Sequence, residues 1–158
     1  MPRSDSFYDF RKVAVQRLRD AQELLEQPTL DPNGADRSHR HLRGAMYLSG
    51  YAVECILKAY LVDMYRLLRT LAQVDAKLRG RDPAMPNLLS AEGHSIAIIL
   101  RYTDLEEHQD ELQRRQFGQL AGAWNVDMRY DPSIPSRPQA VEHVRVAQEL
   151  YNWVNGRF

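Results

Sequence analysis

Cysteine is nearly absent from this chain. Its 158 residues hold one, Cys55, so an internal disulfide is excluded. Lysine is also scarce. Lys12, Lys58 and Lys77 are the only three among 21 basic residues, and the other 18 are arginines, the side chain suited to bidentate pairing with carboxylate or phosphate. There is no charge excess of either sign, because 21 acidic residues balance the basic ones. That argues against coating of nucleic acid by bulk charge and leaves room for a local basic patch. Charges interrupt every apolar run, so no membrane span is expected. The opening residues MPRSDSFYDFRK lack a secretory apolar segment. With a single cysteine placed among apolar residues, they make a cytoplasmic location the expectation.

What is present is helical periodicity. β-branched residues are sparse and strict alternation is missing. The pattern predicts a first helix over 5–26, closed by QPTLDPNGAD. A second begins near Asp36 as N-cap, and its apolar positions cover more than one stripe, as in a central helix. The apolar spacing continues through Leu67, Leu71, Val74 and Leu78, and a bend near Tyr65 is expected. A short helix over 94–102 follows. Thr103 with Glu106 reads as a capping box for a helix reaching Ala123, and Ser136 with Gln139 as one for the last helix. The expectation is one all-α domain over 1–158, a bundle of about five helices with an extra segment at about 66–90.

Within the apolar stretch GYAVECILKAYL, Glu54 and Lys58 stand four residues apart on one helix face, beside Tyr47 and Tyr51. Two readings stay open. The face is the solvated edge of the helix, or the pair is buried and needs a further partner, for which Arg129 is the candidate.

The segment AMYLSGYAVECILKAYL, through Ala52, Glu54, Leu57, Lys58 and Ala59, resembles the signature of the HEPN family. Two more blocks follow in family order. One is GHSIAIIL, with Gly93 and His94, and with Ser95 where aspartate is usual. The other is the turn Arg129, Tyr130, Asp131, Pro132 before the last helix. The resemblance implies a helical bundle that forms homodimers. It implies a place in toxin–antitoxin or defence systems, often with a nucleotidyltransferase partner, and nucleotide or RNA as ligand. In that reading Arg129, Tyr130, Glu54, Lys58 and Tyr51 line a ligand groove, without cofactor or metal.

A subset of the family are metal-independent RNases with an R-x4-6-H motif near the last helix, and two copies build one site. Histidine would move the proton and arginine would hold the phosphate. After Arg129, positions 134–136 read Ile, Pro, Ser, so no histidine follows there. Arg137-x5-His143 fits by place, and Arg101-x6-His108 fits by spacing alone. Roughly 1.7 such matches are expected by chance, so the count itself says nothing. Arg37, Arg40 and Arg43, three residues apart at the start of the central helix, form a candidate phosphate or RNA stripe. His39 and His41 point to different faces and make a poor metal pair. A third reading makes Glu54 and Lys58 purely structural.

Overall fold

The computed structural model describes residues 6–27, 33–35, 38–90, 93–131, 133 and 135–158; the side chains of 38–40 fall outside the description. Six α-helices account for most of these residues: α1 Phe7–Glu26, α2 Ser38–Met64, α3 Leu71–Arg81, α4 Ile96–Arg101, α5 Glu111–Ala123 and α6 Arg137–Asn155. Two 3₁₀ turns, Leu105–His108 and Val126–Arg129, flank α5. No strand occurs among the described residues. The all-α bundle expected from the periodicity is present among the described residues: five helices, and α3 as the extra helical segment after the second.

α2 is the axis of the bundle. Every residue from Ala52 to Val62 is buried, because α1 and α6 pack along its length and α3, α4 and the Val126–Arg129 turn cover the remaining sides. A helix apolar on nearly all sides can be stable in water only in such a position. The segment His41–Met64 is long and apolar enough to cross a membrane by length and composition, contrary to the sequence expectation that charges break every such run. Of its apolar window, 78% is buried inside the fold.

The chain does turn after α2. Thr70 caps α3 through a reciprocal box with Gln73. Leu71, Val74, Leu78, Met85 and Leu88 all join the main core, so the 66–90 segment is built into the bundle. Inside it, the buried Asp75 accepts the Leu88 backbone N–H at 2.9 Å and the Arg79 Nε–H at 2.8 Å. That staple fixes the stretch leading to α4.

Three boundary expectations need correction or limits. α1 starts at Phe7, with Ser6 as its cap. The cap expected at Asp36 lies outside the described residues. Thr103 does not open a helix: its hydroxyl donates to the Leu100 carbonyl at 2.7 Å and so closes α4. Asp110 with Gln113 makes the box that starts α5. The box of Ser136 with Gln139 does open α6.

Candidate functional site

Glu54 is fully buried and Lys58 is 4% exposed. Lys58 Nζ donates to Glu54 Oε1 at 2.6 Å, and His94 Nδ1 meets the same oxygen at 2.8 Å. A carboxylate can only accept, so Nδ1 is the nitrogen that donates to Glu54. The second carboxylate oxygen, Oε2, has no hydrogen-bond partner among the described residues.

His94 arrives from a separate part of the chain. Gly93 lies against the Asn87–Leu88 backbone so closely that a Cβ there would sit 2.4 Å from the Asn87 carbonyl oxygen. Ser95 then caps α4. The tight seat of Gly93 and the cap on Ser95 together aim the imidazole at Glu54.

Of the two readings of this helix face, burial is therefore the one observed. The partner expected for Glu54 is not. Arg129 turns away, donating Nε–H to the Val126 carbonyl at 3.1 Å. The reason is local. Arg129 closes a 3₁₀ turn whose own carbonyl is in reach, and Lys58 already meets the carboxylate from its own helix.

Arg129 instead lies over aromatic rings, 5.5 Å from the Tyr47 centroid and 5.3 Å from that of Tyr130. Tyr47 stacks on Tyr51 at 6.3 Å and tilts against Trp124 at 6.2 Å. The Trp124 indole N–H donates to the Tyr47 carbonyl at 2.9 Å, and the indole lies across Gly50, where an added Cβ would fall 2.2 Å from its Cδ1. The result is a strip along α2 that runs from Arg129 and the exposed Tyr130, through Tyr47 and Tyr51, to the Glu54–Lys58–His94 cluster. Burial raises the Tyr47 and Tyr51 phenols above their ordinary range, so they stay neutral. Burial also pushes the Cys55 thiol up to about 12, which makes it an unreactive core side chain.

On the far side of the Arg129 turn lies a cavity of about 580 Å³, lined by Arg43, Met46, Met128, Asp131, Gln139 and His143 among others. Arg43 latches the loop over it, bonding the Met128 carbonyl at 3.3 Å and Ser133 Oγ at 3.2 Å, and pairing with Asp131 at 3.3 Å. Hydrogen bonds from Ser133, backbone first and then side chain, hold the Asp131 carboxyl below its usual range. His143 is 6% exposed. Desolvation drives its imidazole down to about 4, against the opposing pull of a hydrogen bond to the Met46 backbone. Its Nε2 has no hydrogen-bond partner among the described residues.

Arg137 is not brought to His143. Its guanidinium donates to the Leu25 carbonyl at 2.7 Å, and six residues along a helix place two side chains about 120° apart. The arginine that shares a cavity with His143 is Arg43. Arg37 and the side chain of Arg40 lie outside the described residues, so Arg43 is the one described member of that stripe. Among the described residues, no group of three or more histidine, cysteine or acidic side chains could hold a metal ion.

The residue that sequence reasoning undervalued is His94. Its signals were a histidine directly after a glycine at a helix start and its place in the GHSIAIIL block, and neither pointed to Glu54, 40 positions away.

No family model, no curated protein and no solved structure matches this chain.

Proposed function

We propose that the chain is a HEPN-like, non-catalytic nucleotide- or RNA-binding module, acting in the cytoplasm as a homodimer within a toxin–antitoxin or defence system beside a nucleotidyltransferase. The ordered blocks around Glu54, His94 and Arg129 support the family reading. One observation carries the ligand reading: the Arg129 guanidinium lies over Tyr47 next to Tyr130, whose side chain is 75% exposed. An exposed ring beside an arginine offers a stacking face and a phosphate contact together. Arg129→Ala and Tyr130→Ala should each weaken binding of a fluorescein-labelled single-stranded RNA by about 1–3 kcal/mol, since neither side chain supports the core. Fluorescence anisotropy at fixed salt measures it. Unchanged affinity in both variants would remove this reading.

A second reading, a metal-independent RNase, draws on His143. Its Nε2 has no hydrogen-bond partner among the described residues, and its ring shares a cavity wall with Arg43. RNA cleavage in EDTA that disappears in both His143→Asn and Arg43→Ala, each folded by circular dichroism, would favour this alternative. Absence of cleavage by the wild-type protein would eliminate it.

A further inference from the structure

A second groove lies away from both regions, between α4 and α5. Its volume is about 520 Å³. Leu100 and Phe117 form its apolar floor, 7% and 3% exposed. Arg101 from α4 and Arg114 from α5 also line it. Neither guanidinium has a carboxylate within ion-pair distance among the described residues, and Arg114 spends one N–H on the Gln109 carbonyl at 3.2 Å. The Gln109 amide nitrogen, in a side chain buried at the same groove, has no acceptor among the described residues.

Gly118 also lines the groove. It occupies the interior of α5, where glycine costs about 1 kcal/mol relative to alanine. A Cβ there would meet nothing within 4 Å. Among the described residues nothing crowds that position, so a side chain there has room at the groove wall.

From these features we infer that the α4–α5 groove docks an acidic segment of a partner protein, with an apolar side chain seated on Leu100 and Phe117 and carboxylates reaching Arg101 and Arg114. Two guanidiniums without a carboxylate partner among the described residues, set beside an apolar floor, call for an occupant that is both greasy and rich in acceptors. Nucleic acid fits less well, because the one aromatic ring in the lining, Phe117, is buried and offers no face on which a base could stack.

The test uses the whole chain and a labelled amphipathic peptide of about 15 residues with leucines at helical spacing flanked by glutamates. Two controls go beside it: the same peptide with lysines replacing the glutamates, and a single-stranded RNA. Gly118→Leu fills the groove from a position where the first side-chain atom has room, and Arg101→Glu with Arg114→Glu reverses its charge. The acidic peptide should bind, and each change should weaken it by at least about tenfold, with circular dichroism unchanged. Failure of the acidic peptide to bind, equal binding of the lysine peptide, or indifference to both changes overturns the inference. Loss of RNA binding alone on charge reversal reassigns the groove to nucleic acid. Conversion of a dimer to a monomer by Gly118→Leu, with no peptide binding, reassigns it to a second copy. Either reassignment rejects the acidic partner.

Discussion

At Glu54, a buried carboxylate accepts from an ammonium and an imidazole through one oxygen. Deleting its charge leaves Lys58 buried without a counter-ion. Glu54→Gln should therefore destabilise the fold by about 3 kcal/mol, read from urea denaturation. If the cluster is purely structural, RNA affinity will be unchanged in that variant under conditions where it stays folded. The Lys58 contact was legible in the sequence because four-residue spacing on a helix is a local rule. The His94 contact was not, since no periodic signal tells which distant turn returns to a given helix face. Arg129 misled for a related reason: its charge suited Glu54, but the Val126 carbonyl three residues back in its own turn was closer.

At the scale of elements, the meeting of α2 with the end of α5 depends on Gly50. Trp124 lies where a side chain would stand. Gly50→Ala should displace the indole and cost about 1–3 kcal/mol despite alanine's better helix propensity, a loss seen as a lower thermal midpoint. The opposite sign is expected at Gly122, also inside α5 but with open space above it. The helices themselves were largely readable from apolar spacing, and the Ser136 box appeared where its residues placed it. The Thr103 box failed because a threonine hydroxyl can equally bond back to a preceding carbonyl, and Leu100 offered one. The burial of His143 was also readable in principle. It falls in the stripe of Ala140, Val144, Ala147, Leu150, Tyr151 and Val154 along α6, all of which face the core.

For the molecule as a whole, that buried imidazole ties stability to pH. His143 is held neutral, with its folded value near 4 against 6.5 when free. Above pH 6.5 both states are unprotonated and the group has no effect. As pH falls below 6.5 the unfolded chain takes up a proton that the folded chain refuses, so stability drops until about pH 4 and then levels. The full loss is about 3 kcal/mol. Urea midpoints measured across this window should fall with acid in the wild type, and His143→Gln should flatten that segment. The pairing of a histidine with a desolvated position depends on how α6 seats against α2 at Met46, a tertiary fact that a one-dimensional pattern records only as an unusual member of an apolar stripe.

Trp124 gives the molecule an optical voice. It is one of two tryptophans; the other, Trp153, packs with Phe117 and beneath Arg157. With Trp153 replaced by phenylalanine, all remaining indole emission would come from a ring bonded to the central helix and joined directly to the turn that carries Arg129. Whatever settles on that turn would then announce itself in the colour and lifetime of the protein's own light.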